Sequence, residues 1–310
     1  MAEVLYPKLA VIGCGLIGGS IVRAARAAGV VGEITVAEIN PDFRARLAEL
    51  GVADHLTADP REAAADTDLV VLATFPSVLS KVAAEIGPHL KPGATLTDVG
   101  SVKASVGAAL AAAAAPGVFV IPGHPIAGTE QSGPDAGFAE LFQNRWTILC
   151  PRPSDDPAYA AATARLSAFW EALGANVECM DEHHHDMVLA MTSHLPHLLA
   201  YTLVGAAAHL EQVSEGEVMK FSAGGFRDFT RIAASDPVMW RDVFLLNKDA
   251  VLDVLARFNE DMQALARAIR YGEGDKLYDH FSRTRDIRRG IVAAGQESAE
   301  PNFGRDKARK

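Results

Sequence analysis

The sequence predicts an α/β chain in which a doubly wound, mostly parallel sheet is followed by an all-helical domain. Three features point to it. From Lys8 to Val99 short β-branched runs alternate with helical stretches, the pattern of parallel strands covered on both faces. The first of these runs leads directly into a glycine-rich turn, "KLAVIGCGLIGGS". After Glu182 the strand signal ends and long apolar helical periods replace it. A chain of 310 residues exceeds one ordinary domain and can bury two cores. The expected limits are residues 1–181 for the sheet domain and 182–294 for the helical one, with a polar, aperiodic tail at 295–310 that frays.

In chain order, "KLAVIG", "EITVAE", "TDLVVLAT" and "ATLTDVG" read as parallel strands, and "VFVIPG" and "RWTILCP" as two later ones. Tyr159 to Leu173 reads as a covering helix and "NVECMD" as a last strand. The polar run "DEHHHD" has the look of a helix start rather than a coordination shell. Met187 to Leu210 is apolar apart from "SHLPH", so a central helix is expected, bent or broken near Pro196. Further on, Val251, Leu255, Phe258, Met262, Leu265 and Ile269 recur in steps of four and three, giving one apolar seam. The seam is satisfied either within the chain or by packing the helical domains of a homodimer together.

Composition narrows the function classes. Apolar residues make up 49% and charged residues 22%, as in ordinary globular proteins. With 29 basic against 39 acidic side chains the formal charge is −10, which opposes the broad basic surface that nucleic acid requires. Cys14, Cys150 and Cys179 form no CxxC pair, and an odd number of thiols fits a reducing compartment. The start lacks a basic region followed by a long apolar run, and "AALAAAAAPG" is too short to span a bilayer. A cytoplasmic protein without nucleic-acid or membrane partners is expected.

Gly13, Gly15 and Gly18 stand in the G-x-G-x-x-G register between a strand and a helix. Gly13 permits the tight turn, Gly15 lets a pyrophosphate approach the backbone, and Gly18 lets helix and sheet pack closely. Together with Leu16 and Ile17, which open the helix, and with Ser101 from the later "TDVGSVK", they make a Rossmann-type cofactor site. Glu38 closes the second strand about 20 residues beyond Gly18, where a carboxylate accepts from ribose hydroxyls and repels a 2′-phosphate. NAD is favoured over NADP. Arg44 and Arg46 on the next helix keep the second cofactor open.

The stretch "IPGHPIAGTEQSG" sets His124 between a glycine and a proline just beyond a strand. Ligands in such sheets bind past the carboxyl ends of the strands, and "TDVGSVK" delivers Ser101 and Lys103 to the same edge. His124 is either a turn cap or a proton acceptor near neutral pH, with Ser101 as a partner. The pair lacks the nucleophile elbow of acyl transfer. In "MTSHLPHLLAY", His194 and His197 are three apart and face one side of a helix, as ligand contacts or as core histidines. No third ligand at structural-site spacing accompanies them, so no metal is expected. "GGFRDFTRIAASDPVMW" supplies Arg227, Asp228, Arg231 and Trp240. One arginine held by Asp228 would suit a carboxylate; a surface ion pair is the plainer alternative.

These motifs, "VIGCGLIGGS", "DVGSVK", "GHPIAGTEQSG", "SHLPH" and "GFRDFTRIAASDPVMW", resemble those of the prephenate and arogenate dehydrogenases of tyrosine biosynthesis, over about residues 8 to 290. The resemblance implies a nucleotide-binding domain followed by a helical dimerisation domain, with the active site in the cleft between them. It implies oxidative decarboxylation of prephenate to 4-hydroxyphenylpyruvate with reduction of NAD, with arogenate or both compounds as the alternative substrate. A non-catalytic NAD-binding redox sensor and a small hydroxyacid dehydrogenase are more distant alternatives. By motif, His124 is implied to take the proton of the ring 4-hydroxyl with Ser101 as its companion there. Thr129 and Glu130 are implied to shape the pocket mouth, His194, His197 and Arg231 to hold the substrate, and Asp228 and Trp240 to stand behind or gate it. Tyrosine is implied as a competitive inhibitor. The regulatory domain some members carry is not expected.

Overall fold

The computed structural model describes residues 3–129, 131–211 and 223–293. Its N-terminal part alternates strand and helix: β1 (Tyr6–Ile12), α1 (Leu16–Ala28), β2 (Val31–Ala37), α2 (Pro41–Leu50), β3 (His55–Thr57), α3 (Pro60–Ala64), β4 (Leu69–Leu72), α4 (Pro76–Ile86), β5 (Thr95–Asp98), α5 (Ala104–Ala113) and β6 (Phe119–Val120). The strands form one parallel sheet in the order β3-β2-β1-β4-β5-β6. The order in which strands are added reverses between β1 and β4, with β2 and β3 on one side and β5 and β6 on the other, which opens the ligand crevice beyond their carboxyl ends.

Both faces of this sheet are buried because alternate residues on a strand face opposite ways. Leu9, Val11, Ile34, Val36, Leu69 and Val71 join one core with Phe169 and Trp170. Their neighbours Ala10, Ile12, Val70, Leu72 and Leu96 join the other, with Leu79, Ala83 and Leu110 from α4 and α5. Helix starts follow local chemistry. Asn40, Asp59 and Asp156 each accept from backbone N–H groups one or two positions into α2, α3 and α6 (Pro157–Ala172), each of which has proline at its first residue.

Of the two expected later strands, "VFVIPG" extends this sheet only through its first half, and "RWTILCP" does not join it. "VFVIPG" divides into β6 and β7 (Gly123–Pro125), and β7 pairs antiparallel with β8 (Trp146–Leu149), which pairs parallel with β9 (Asn176–Cys179). These make a separate sheet ordered β7-β8-β9. The ladder to β5 ends at Ile121, whose N–H donates to the Leu96 carbonyl; the next N–H on that side, Gly123, donates to the Asp98 side chain, while the Pro122 carbonyl on the outer side accepts from Cys150 N and so starts the pairing with β8. His124 thus lies past the carboxyl end of β6, as expected, and within a strand of the second sheet.

The helical part comprises α7 (Glu182–Leu189), a π turn (Ala190–His194), α8 (Leu195–Glu211), α9 (Gly224–Thr230), a 3₁₀ turn (Arg231–Ala234), α10 (Pro237–Leu246), α11 (Lys248–Arg270) and α12 (Gly274–Ala293). The central helix is interrupted just before Pro196, and regular α-helix resumes through the proline itself. A proline ring clashes with the carbonyl four residues earlier, and a π turn widens the spiral at that point. Glu182–Leu210 is long and apolar enough to cross a membrane by length and composition, yet it carries the buried polar side chains His185, Asp186 and His194.

Two compact units are present, one ending at Leu252 and one beginning at Asp253. Within the first, α7 and α10 are tied to the sheet domain by carboxylates at helix starts: Asp186 accepts from Lys103 N and Ala104 N, and Asp242 from Ser77 N. In the second, Met262 is 49% and Ile269 67% exposed, and Tyr278, Phe281 and Ile287 are exposed as well. Of the expected seam only Val251 is fully buried; Leu255, Phe258 and Leu265 are half-buried. The tail at 295–310 lies outside the described residues.

Candidate active site

The nucleotide end is built mostly from backbone. Gly13 has φ +90°, and a Cβ there would lie 2.7 Å from the Ala73 carbonyl oxygen. A Cβ at Gly18 would lie 2.1 Å from the Gly13 carbonyl oxygen, so only glycine lets α1 come this close to the turn. At Gly15 an added Cβ meets nothing within 4 Å. That open backbone, at the start of α1 where N–H groups lack helical partners, suits an anion. Leu16 and Ile17 begin the helix behind it. Glu38 follows β2, and its carboxylate accepts from Cys14 N at 3.2 Å and Asn40 N at 3.0 Å, which holds it beside the turn. Arg44 donates to the Glu38 carbonyl, while Arg46 is turned to Asp135 and Glu49. These residues fit a dinucleotide.

The chemical end is built from buried side chains. His124 is 8% exposed; its Nδ1 lies 2.9 Å from Nε2 of His185, whose Nδ1 lies 2.8 Å from Oδ1 of Asp186. No hydrogen bond engages Nε2 of His124 among the described residues. Burial lowers the pKa of His124 well below the ordinary histidine value, helped by the proximity of His185, Lys103 and His194. Burial likewise lowers His185, although Asp186 opposes the shift. A neutral imidazole with a bare nitrogen is able to accept a proton.

Lys103 does not face the crevice as expected. It is fully buried, and its ammonium donates to Asp98 Oδ2 and to the Gly123 carbonyl. Asp98 also accepts from Gly100 N and Gly123 N. This ion pair fastens the end of β5 to β7 and so fixes where His124 begins. Ser101, half-buried after β5, makes no side-chain hydrogen bond to His124 among the described residues; the partner the fold gives that histidine is His185.

The helical side contributes an aromatic and imidazole stack. His197 lies on Trp240 with ring centroids 3.5 Å apart, and His194 meets the same indole edge-on at 6.1 Å. The two histidines thus do share a side, as their spacing required. Nδ1 of His194 pairs with Asn247, and Nδ1 of His197 with the Ser193 carbonyl. Burial pushes His194 down to about 4 and lowers His197. The Trp240 indole N–H is buried and finds no acceptor among the described residues.

The remaining expected residues stand further out. Thr129 accepts from Gln131 N in the loop after β7. Glu130 lies outside the described residues. Asp228 on α9 and Arg231 in the following turn are exposed, and Tyr201 of α8 ties that turn down through the Ser235 carbonyl. Sequence reasoning missed His185, Asp186, Asp98 and Asn247. Only the first two carried a signal: in "DEHHHD" one histidine falls on the inner face of a helix whose start is fixed by Asp181, which caps His183 and His184.

Comparison with known proteins identifies the family. Residues 21–179 match the prephenate dehydrogenase nucleotide-binding domain, and residues 181–283 the prephenate dehydrogenase dimerization domain. A cyclohexadienyl dehydrogenase of Zymomonas mobilis is 41% identical over 92% of this chain and 96% of its own length. A prephenate dehydrogenase of Bacillus subtilis is 33% identical over 94% of this chain and 77% of its own. The crystal structure of prephenate dehydrogenase from A. aeolicus in complex with hydroxyphenyl propionate and NAD+ superposes with a TM-score of 0.84 at 32% identity, covering 92% of this chain and 98% of that one. A glycine turn, a buried neutral histidine and a helical domain, in this order and with these relatives, place the chain in the prephenate dehydrogenase family.

Proposed function

We infer that the protein is an NAD-dependent prephenate dehydrogenase of tyrosine biosynthesis, and the observation that carries this is the bare Nε2 of a buried, neutral His124 in a chain of this family. When bound, NAD accepts hydride from C4 of the cyclohexadienol ring. His124 takes the proton of the 4-hydroxyl as the carbon–oxygen bond gains carbonyl character, which favours loss of the ring carboxylate as carbon dioxide. Aromatisation leaves a phenolate oxygen at the same position, and His124 returns the proton to it. The histidine thus ends the cycle neutral, and prephenate plus NAD+ gives 4-hydroxyphenylpyruvate, carbon dioxide and NADH with no net proton release.

Ser101 is proposed to orient the hydroxyl, and His194, His197, Arg231 and Trp240 to hold the substrate's acidic groups and side chain. Thr129, Glu130 and Asp228 are proposed at the pocket mouth. Glu38 is proposed to accept from the adenosine ribose, favouring NAD; its position beside Cys14 N supports this. Purified protein with NAD and prephenate is expected to form NADH and carbon dioxide, and absence of both with intact NAD binding would revive the sensor reading. The 41% identical cyclohexadienyl dehydrogenase favours arogenate as a second substrate. A side-by-side kcat/KM comparison decides: preference for arogenate above about tenfold, roughly 1.4 kcal/mol, would reverse the choice. Tyrosine, which keeps ring and side chain, is expected to raise the apparent KM without changing kcat.

A homodimer through the helical domain belongs to the same proposal. Its supports are the dimerization-domain match, the exposed Met262 and Ile269 of the seam, and the apolar window within Glu182–Leu210, of which only 28% is buried in this chain. A single-chain mass in sedimentation at micromolar concentration would remove it. The division at residue 181 is supported by the family matches on either side of it, and a cytoplasmic location by three free thiols; fractionation of cells tests the latter.

A further inference from the structure

His185 and Asp186 have no part in the proton transfer described above, yet they are buried and hydrogen-bonded in series behind His124. We propose that they are positioning residues that lock His124 in the tautomer with its proton on Nδ1, leaving Nε2 bare towards the substrate. The proposal rests on the reading of His124 as the proton acceptor.

The direction of every hydrogen bond in the chain is fixed from its far end. Asp186 accepts from Lys103 N at 2.7 Å through Oδ1 and from Ala104 N at 3.0 Å through Oδ2. These N–H groups stand at the start of α5, where no helical carbonyl is available to them and the helix dipole favours an anion. Burial alone would raise the Asp186 pKa, but the hydrogen bonds from His185 and the two backbone groups bring it below the ordinary value. An ionised carboxylate only accepts, so the proton between Asp186 and His185 lies on Nδ1 of His185. A neutral His185 then has its lone pair on Nε2. That nitrogen can only accept across the 2.9 Å contact, so the donor is Nδ1 of His124, and a neutral His124 is left with a bare Nε2.

The surroundings keep both rings neutral. Lys103, although paired with Asp98, adds a fixed positive charge beside them, and His194 faces them from the π turn. If His185 were doubly protonated, its Nε2–H would claim Nδ1 of His124 and drive the proton to Nε2, which would close the base. Which ring nitrogen carries the proton is set by the hydrogen bond the other makes; here the setting reaches His124 through a second imidazole. When His124 takes the substrate proton, Asp186 is the anion that balances the charge, again through His185.

The competing account is that His185 and Asp186 merely fasten α7 to α5. It predicts a loss of stability on substitution but no particular tautomer. The test is long-range nitrogen–proton NMR of the full-length protein labelled in its histidine rings, with the His124 signals assigned from His124→Asn. The expected result is a protonated Nδ1 and an unprotonated Nε2 on His124 at neutral pH. Its reverse, or an even mixture, overturns the proposal whether or not prephenate is turned over, so failure here is distinct from failure of the substrate reading. In parallel, His185→Leu is expected to lower kcat roughly 10²-fold with KM for prephenate and NAD affinity little changed. His185→Gln, whose amide oxygen can accept from Nδ1, is expected to restore about tenfold of that. A folded His185→Leu protein with undiminished kcat also overturns the proposal, and if that variant fails to fold, the NMR of the unmodified protein decides alone.

Discussion

The glycine turn and the histidine cluster stand in the same compact unit and are built by opposite means. The turn uses backbone: a positive φ at Gly13, an open approach over Gly15 and a contact at Gly18 that no Cβ allows. Its only buried charge, Glu38, is satisfied by two nearby N–H groups. The cluster uses side chains from distant segments, with His124 and His185 61 residues apart and Asp186 83 residues from Lys103. A backbone-built site tolerates change in the surrounding side chains, because its shape is set by local conformation. A buried polar cluster does not, because each member left without its partner costs the full desolvation of that group.

The sharpest way to separate the two regions is His124→Asn. It is expected to lower turnover by a factor of roughly 10² to 10⁴ while leaving NAD affinity within the range of the unmodified protein, measured by fluorescence or calorimetric titration. Near-normal turnover at saturating substrate would assign His124 to structure. A comparable loss of NAD binding would show that the two ends do not act independently.

Lys103→Ala attacks the cluster through its support. Removing the ammonium leaves Asp98 buried and unpaired, and breaking such a pair costs about 3–5 kcal/mol, to be read as a lower midpoint in denaturant. Adding Asp98→Asn is expected to recover part of the loss, since a neutral amide is less costly to bury. A midpoint unchanged in Lys103→Ala would mean that water reaches this corner.

Acid distinguishes the regions without any substitution. His194 is held at about 4 in the folded chain against a free value of 6.5, chiefly by burial. The unfolded chain therefore takes up its proton first as pH falls. Stability is complete above about pH 6.5 and declines towards pH 4, by about 3 kcal/mol from this residue. The lowered values of His124 and His185 act in the same direction. Thermal unfolding across this window is expected to show a steadily falling Tm, and a flat profile would mean that these histidines are charged in the fold.

The smallest effect is expected at the nucleotide end. Glu38→Ala removes one carboxylate that would hydrogen-bond the ribose, a change of roughly 1–3 kcal/mol, and should narrow the gap in kcat/KM between NAD and NADP. Arg44, already at the Glu38 carbonyl, is placed to assist the phosphorylated cofactor. Equal efficiencies with both cofactors before substitution would show that Glu38 points away from the ribose.

By itself the sequence determined whatever depends on neighbouring residues. The glycine register specified the turn, β-branched runs specified the strands of the first sheet, and the aspartate before "HHH" specified where α7 begins. The spacing of His194 and His197 was enough to put them on one side of a helix, whereas their meeting on the indole of Trp240 is tertiary. Only the tertiary structure decided that β7, β8 and β9 form a sheet of their own, that Lys103 turns inward to Asp98, and that His185 rather than Ser101 is hydrogen-bonded to His124. Local conformational preference acts over a turn or two of chain. The partner of a buried charge or imidazole is chosen by which distant segments close around it, and that choice is made by the packing of the whole core.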